Sequence, residues 1–402
     1  MTLIDIPRTV AQLLAPAPDL ATHLAVHGPT PAIGTALIPA AHAADVRGRG
    51  GAGFPTARKL AAVAAAAAGR RATVVVANGT EGEPLSGKDK ALLTLSPHLV
   101  LDGLDAAAGA VGATRRIVCI ERGNRAVGAA VAAALAERGD PGVEVVTTPR
   151  RYVAGQETAL VDLIDGGAGR PTLRRPSERG VGGRATLVDN VETLAHLALV
   201  ARHGPEVALP ALVTVGGAVT RPGVQEVATG EPLAAVLDRA GARRPRAVLV
   251  GGYSGRWVPA ATALRLRLDP ASLAAAGTGM GCGAIAVVDD DSCAVVELAR
   301  VAEWFARSSA GQCGACTWGL RDMADATGAV HAGTRAPAAP ADIRRWAAMV
   351  RGRGACKLPD GAAGFLGSGI DVFAEEAAEH QAGRCRRADA GLLPVPTPEA
   401  FR

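Results

Sequence analysis

The sequence predicts an α/β protein built on a parallel sheet, followed by a smaller α+β module and a helical domain. Three observations predict it. "ATVVVAN" from Ala72, "RRIVCIER" from Arg115 and "VEVVTT" from Val143 are apolar runs of strand length rich in β-branched residues, as expected of strands covered on both faces. The stretches between them, "SPHLVLDGLDAAAGAVGA" and "NRAVGAAVAAALAERG", read as helices. Strand–helix–strand–helix–strand implies crossover connections and a parallel sheet. The texture then changes twice, near Pro205 and near Val301.

Each element has its local reason. Ser96 is the expected N-cap of the first crossover helix and Pro97 its first helical position. Gly139 is expected to close the second helix. From 205 to 270, short strand runs, a Pro-Gly turn, one helix and a further strand read as a small α+β module. Residues 271–300 read as a connecting segment. Residues 301–402 show mostly helical periodicity, interrupted by a cysteine-bearing loop at Gly311 and by "TRAPAAPAD". The first unit thus spans 1–204.

Composition narrows the function classes. A chain of 402 residues is too long for one core. A net charge of +5 without a basic block gives no reason to expect nucleic acid. No apolar run reaches the length of a membrane span, and the start "MTLIDIPRTVAQLL" lacks the pattern of a signal peptide. A cytoplasmic protein is expected, and peripheral attachment to a membrane complex is compatible with this. Seven scattered cysteines do not suit a disulfide scaffold, which leaves metal, redox or buried-thiol roles open.

The stretch "RGRGGAGFPTARKL" from Arg47 carries the first functional signal. Gly48, Gly50 and Gly53 match G-x-G-x-x-G, but that fingerprint must follow a strand, and "AAHAADV" reads as helix or coil. The physical reading survives. Gly48, Gly50, Gly51 and Gly53 let backbone N–H groups approach an anion, Pro55 starts a helix with an electropositive end, and Arg49 and Lys59 add charge. Taken alone, the loop also reads, with less weight, as a glycine-rich turn. Three further stretches point to the same place. Asn78, Glu81 and Glu83 follow the first strand, Tyr152, Gly155, Gln156 and Glu157 follow the third, and Asn190 and Thr193 open a later helix. Ligands of open α/β sheets bind at the carboxyl ends of strands.

"GRGGAGFPT", "EGEP", "YVAGQETAL" and "DNVETLAH", in this order, resemble the flavin and NADH sites of the NADH-binding flavoprotein subunit of respiratory complex I. Relatives of that subunit occur in NAD-linked formate dehydrogenases and hydrogenases. The resemblance runs from about Asp45 to Gly367. "VTVGGAVTRPGVQEV" resembles that family's β-grasp module of the soluble-ligand-binding (SLBB) type, and the C-terminal helices resemble its iron–sulfur domain.

The resemblance implies an FMN-dependent NAD(P)H dehydrogenase. The Gly48–Gly53 loop with Arg49 and Lys59 would cradle the FMN phosphate and ribityl chain. Asn78, Glu81, Asn190 and Thr193 would belong to the flavin site. Tyr152, Gly155 and Glu157 would border the stacked flavin and nicotinamide, and Phe54 and Glu83 would lie on the NADH side. No acid–base pair is implied, because hydride transfer between stacked rings needs orientation above all. The implied partner is an electron-accepting chain, such as a ferredoxin-like two-iron subunit or a reductase complex. Three positions depart from the family pattern: Thr80, Gln156 and Asp189 alter the charge expected near the flavin. Arg150 and Arg151, in "TTPRRY", would suit an extra phosphate and leave NADPH open as the reductant.

The family's iron–sulfur motif is S-C-G-x-C-x-x-C with a later fourth cysteine. Here "SSAGQCGACTWGL" puts Ala310 at the first ligand position, leaving Cys313, Cys316 and Cys356. A four-iron cluster wants a ligand at each iron. Ser308, Ser309, Cys385, an external thiolate or water could complete it. A degraded or three-iron cluster, zinc at three cysteines, and three plain buried thiols stay open beside it. Cys119 reads as packing, Cys282 and Cys293 have no partner spacing, and His23 and His27 read as surface residues. Two other classes of function remain: an assembly or binding paralogue that has lost electron export with Ala310, and a ligand-binding role for the β-grasp module alone.

Overall fold

A computed structural model describes residues 12–67, 72–334 and 338–399. Most of the N-terminal stretch and part of "TRAPAAPAD" therefore lie outside the described residues. Four strands form the first sheet: β1 (Thr73–Gly79), β2 (Ala113–Glu121), β3 (Val143–Thr148) and β4 (Thr186–Asn190). They lie in the order β3-β2-β1-β4, and every pair is parallel. The sheet therefore grows outward in both directions from β1, and the carboxyl ends of β1 and β4 lie side by side. Val74, Val75 and Val76 are fully buried, as a strand covered by helices on both faces requires.

The crossover helices form where the sequence places them. Helix Pro97–Val111 begins with Pro97 and is closed by left-handed Gly112. Ser96 does not cap it, because its hydroxyl donates to the Ala15 carbonyl at 2.8 Å. Helix Arg125–Arg138 is capped by Asn124 and closed by Gly139 at φ 59°.

The second sheet corrects the sequence reading. Its strands are β5 (Ala211–Gly217), β6 (Gly223–Val227), β7 (Pro245–Val250), β8 (Arg256–Pro259) and β9 (Ala284–Asp289), in the order β6-β5-β9-β7-β8. The segment 271–300, expected to be a connection, thus supplies the central strand. β9 pairs parallel with β5 and antiparallel with β7. "AIAVVD" is short and follows a glycine-rich loop, so nothing local in it announces a sheet centre.

Among the described residues five α-helices follow, Ala294–Arg307, Arg321–His331, Ala338–Val350, Leu358–Val372 and Ala374–Gln381, with a π-helical turn Ala315–Leu320 leading into the second. They pack on the second sheet through an aromatic cluster. Tyr253, Trp257, Trp304, Phe305 and Phe365 make edge-on or tilted contacts at 5.3–6.3 Å between ring centroids. Tyr152 joins that cluster from the first unit, 5.2 Å from Trp304. The few aromatics of this chain are thus concentrated where its parts meet. Among the described residues no helix is long and apolar enough to cross a membrane.

Candidate functional site

The parallel sheet sets the site. Asn78 on β1 and Asn190 on β4 are register partners at the carboxyl edge. The Asn78 side chain donates to the Gly155 carbonyl at 2.8 Å, which ties the edge to the short turn Tyr152–Gly155 after β3. That approach needs glycine. A Cβ on Gly155 would come within 2.6 Å of the Thr80 carbonyl oxygen, and one on Gly82 within 2.6 Å of that of Tyr152. Two loops from neighbouring strands therefore lie backbone against backbone.

The glycine-rich segment folds over the same edge as a narrow hairpin. Arg47 and Pro55 pair across it, and the Gly48 N–H donates to the Phe54 carbonyl at 2.9 Å. It is fastened to the helix after β4, where the Arg49 N–H donates to Thr193 Oγ1 at 2.9 Å and Arg49 Nε to Glu192 Oε1 at 3.0 Å. Helix Thr56–Ala67 leaves the hairpin and carries Lys59 inward. Lys59 Nζ donates to Glu157 Oε2 and to the Val188 carbonyl, both at 3.0 Å, and lies 3.6 Å from Asp189 Oδ1.

The charges here are strongly perturbed. Burial works against the Lys59 ammonium, but Asp189 and Glu157 outweigh it and hold the pKa above its usual value. Burial lifts Asp189 to about 6 even though Lys59 opposes the shift. The second oxygen of Asp189 is buried without a hydrogen-bond partner. Glu83 is lifted to about 8 by burial, with the N–H groups of Leu85 and Tyr253 acting against the shift. Its carboxylate faces the second sheet, accepting from Tyr253 N at 3.0 Å.

Several expected residues take other parts. Glu81 accepts from the N–H groups of Asp89 and Lys90 at the start of helix Lys88–Leu95, so it serves that helix end. Gln156 caps helix Glu157–Ile164 through Thr158 N and Ala159 N. Thr80 Oγ1 lies 3.0 Å from Thr148 Oγ1. The side chains of Thr80 and Gln156 are thus engaged with Thr148 and with the start of helix Glu157–Ile164, whereas Asp189 faces Lys59. Arg151 donates to the carbonyls of Ala168 and Glu399, which ties it to main chain, and Arg150 Nε lies 3.4 Å from Glu121. Phe54 is 42 % exposed, with the Arg58 guanidinium 5.5 Å from its ring centroid.

Sequence reasoning missed Lys88. It is 2 % exposed and lies 2.6 Å from Asp89, 2.9 Å from Glu192 and 3.2 Å from Asn190 Oδ1. Asn190 in turn donates to Asp89 at 2.7 Å and accepts from Glu192 N. This network locks the Asn190 side chain. "GKDK" offers no signal of it, since lysine is rarely buried. His23 also departs from expectation: it is buried and lies 2.7 Å from Asp102.

In the C-terminal helices, Cys313 and Cys316 flank one turn, with Cys316 N donating to the Cys313 carbonyl at 3.0 Å. Burial, joined by Cys313 and Cys356 and opposed by the Ser309 hydroxyl, pushes Cys316 up to about 12. Cys356 is pushed up by burial and by Cys313, so the fold brings the three thiols into one neighbourhood. Ala310 offers no donor atom, while the buried Ser308 hydroxyl has no hydrogen-bond partner. Cys385 is placed elsewhere. Its thiol belongs to a group with Cys293, Glu376 and His380 whose ligand atoms all lie within 4.8 Å of one another.

A glycine hairpin, paired asparagines at a parallel-sheet edge, and a cysteine-bearing helical domain define a class: flavin-dependent oxidoreductase subunits that bind a nicotinamide nucleotide. Comparison with known proteins gives the family. Residues 41–199 match the Nuo51 FMN-binding domain, and residues 297–380 match the NADH-ubiquinone oxidoreductase-F iron-sulfur binding region. An NADH-quinone oxidoreductase F-type chain of Rhizobium meliloti is 30% identical over 84% of this chain and 86% of its own length. The corresponding NADH-quinone oxidoreductase chain of Streptomyces coelicolor is 29% identical over 87% of this chain and 83% of its own. The chain belongs to the NADH-quinone oxidoreductase F family, whose members are FMN-binding, NADH-oxidising electron-transfer subunits.

Two crystal structures of an NAD+-reducing [NiFe]-hydrogenase share the fold. The H2-reduced form superposes with a TM-score of 0.80 at 26% identity, covering 98% of this chain and 69% of the hydrogenase chain. The air-oxidised form gives 0.76 at 27%, covering 90% of this chain and 64% of that one, so the present chain spans about two thirds of the hydrogenase chain's length.

Proposed function

We propose that this chain oxidises NADH at the carboxyl edge of its four-stranded sheet, with FMN as the immediate acceptor, and delivers electrons to a partner protein. The observation that carries this reading is the pairing of Asn78 and Asn190 beneath a hairpin fastened by Arg49. FMN, when bound, supplies hydride acceptance and one-electron release. The chain's own residues orient and enclose. Gly48, Gly50, Gly51 and Gly53 offer backbone to the phosphate and ribityl chain. Asn78 and Thr193 offer ring-edge and ribityl hydrogen bonds, while Asn190, expected to do the same, has its amide taken up by Lys88, Asp89 and Glu192 N and shapes the edge instead. The buried, unpartnered oxygen of Asp189 is an acceptor awaiting a donor. Lys59, held by Glu157 and Asp189, fixes the positive charge of the cradle, and Tyr152, Gly155 and Glu157 border the nicotinamide. Glu81 acts by holding the helix that carries Lys88. Phe54 and Glu83 flank the nucleotide.

We also read residues 205–289 as a β-grasp module of the SLBB type, since a helix packs on a mixed five-stranded sheet. The helices after it form an iron–sulfur-type domain with Cys313, Cys316 and Cys356 as its three thiolates. That set fits a cluster with one iron lacking a cysteine. The electron acceptor is a separate chain of two-iron type. The test is anaerobic titration of the FMN-reconstituted protein. NADH should bleach the flavin, and ferricyanide should restore it. Failure to retain FMN would overturn the reading.

A second reading is favoured by Ala310: a binding paralogue whose flavin is reduced but exports no electrons. Normal bleaching without transfer to any two-iron partner protein would support it.

A further inference from the structure

We propose that Cys293, Glu376, His380 and Cys385 form a zinc site, separate from the cluster cysteines, that fastens the C-terminal tail across the nucleotide unit. The four ligand atoms lie within 4.8 Å of one another. Tetrahedral zinc with sulfur ligands at 2.3 Å spaces its donors by about 3.8 Å. The group is therefore near the size an ion requires without moving any element.

The donors come from a built frame. Cys293 sits at the N-cap of helix Ala294–Arg307, and its N–H is held by the Ala388 carbonyl at 2.8 Å. Glu376 and His380 stand four residues apart on helix Ala374–Gln381, which puts them on one face. Cys385 follows four residues after that helix. Cys293 and Glu376 are buried, and His380 and Cys385 are half-buried.

The histidine is already set as a ligand. His380 Nδ1 lies 2.9 Å from the His331 carbonyl. A carbonyl only accepts, so Nδ1 carries the proton and a neutral ring leaves a lone pair on Nε2. That is the arrangement typical of metal-bound histidine. Nε2 faces Cys293 Sγ at 3.1 Å. Without a metal the thiol proton occupies this line, and zinc would replace it. Glu376 Oε2 lies 2.6 Å from Arg246 Nη1, yet no well-directed hydrogen bond uses that oxygen. Two thiolates neutralise the divalent ion while Arg246 and, at 4.0 Å, Arg387 balance Glu376. Two thiolates, an imidazole and a carboxylate in a largely buried setting favour zinc over magnesium or calcium.

The consequence lies downstream. After Cys385 the tail bridges Ser292 at Ala388, and Leu392 N and Leu393 N donate to Glu297. The Pro394 carbonyl accepts from Tyr253 Oη at 2.7 Å. Glu399 then accepts from Arg150 N, and its carbonyl accepts from Arg151 Nε. At Glu399 the strap thus reaches the residues just before Tyr152, on the loop that borders the nucleotide in the reading above. A metal at Cys385 anchors its near end.

The experiment is metal analysis of the full-length reduced protein, with zinc and iron counted separately. About one zinc per chain is expected. Cys385→Ser and His380→Gln should lose it while keeping iron, and Cys313→Ser should lose iron while keeping zinc. Cobalt should exchange in and give the absorption of a tetrahedral thiolate site. Trypsin should cleave faster between Arg384 and Arg387 once a chelator removes the zinc, with readdition restoring protection. Chelation of the unmodified protein needs no variant to fold. Absence of both zinc and cobalt binding, zinc that departs with Cys313 instead of Cys385, or a Cys293–Cys385 disulfide in its place would each overturn the site. Cleavage indifferent to zinc would overturn the strap.

Discussion

Lys88 Nζ lies 2.9 Å from Glu192 Oε2 with both side chains almost fully buried, and this pair joins the helix after β1 to the helix after β4. Glu192 also receives Arg49 Nε, so the same carboxylate holds the glycine hairpin in place. Burial alone would raise Glu192, but Lys88 and Arg49 bring it down to about 2. Lys88→Met leaves two buried carboxylates, Asp89 and Glu192, without their ammonium, Glu192 keeping only Arg49 Nε and Leu212 N and Asp89 keeping Asn190. It should lower stability by about 3–5 kcal/mol in urea unfolding, as broken buried pairs do. A loss under about 1 kcal/mol would show the pair to be energetically idle.

Gly51 tests the hairpin as a cradle. Its φ is +117°, and a Cβ there would meet no protein atom within 4 Å. Gly51→Glu should therefore cost the fold only backbone strain, about 1–3 kcal/mol. Its side chain would occupy the space given to the ligand, so FMN should be absent from the purified protein. A folded variant with full flavin would place the flavin elsewhere.

Glu83 should govern a pH dependence. Its folded pKa of about 8 lies above the ordinary glutamate value. Between about pH 4.5 and 8 the folded state keeps a proton that the unfolded state releases, so this group makes stability fall as pH rises. Glu83→Gln removes the ionisation. The variant should gain on the unmodified protein by roughly 1–4 kcal/mol between pH 5 and pH 9, measured by urea unfolding at each pH. Parallel curves would mean that Glu83 ionises normally.

NADH should reduce the flavin faster than NADPH. Arg151 is held by the carbonyls of Ala168 and Glu399. Stopped-flow reduction with each nucleotide checks this, and Arg150→Ala should leave the preference unchanged. Faster reduction by NADPH would restore these arginines as phosphate ligands.

Ala310→Cys should complete the thiolate set near Cys313, Cys316 and Cys356. Anaerobic reconstitution should bring iron and sulfide toward about four per chain, against fewer, or a three-iron resonance signal, in the unmodified protein. Flavin reduction by NADH should change little. Four stable irons without the substitution would point to Ser308, whose buried hydroxyl lacks a partner, as the fourth ligand.

The sequence by itself determined the elements whose cause is local. β-branched runs made β1 and β2, Asn124 and Gly139 bounded a helix, and the asparagine after "TLVD" capped the helix it precedes. The four ordered motifs likewise named the hairpin and the sheet edge, because close backbone approach requires glycine wherever it occurs. Tertiary structure decided what depends on partners distant in sequence. β9 became a sheet centre through β5 and β7, and Lys88 was buried by Glu192 across 104 positions. Cys293 and Cys385 were brought to one histidine. A buried charge or a metal ligand is defined by what surrounds it. For these residues the surroundings come from chain folding back over long distances, and no window of sequence contains them.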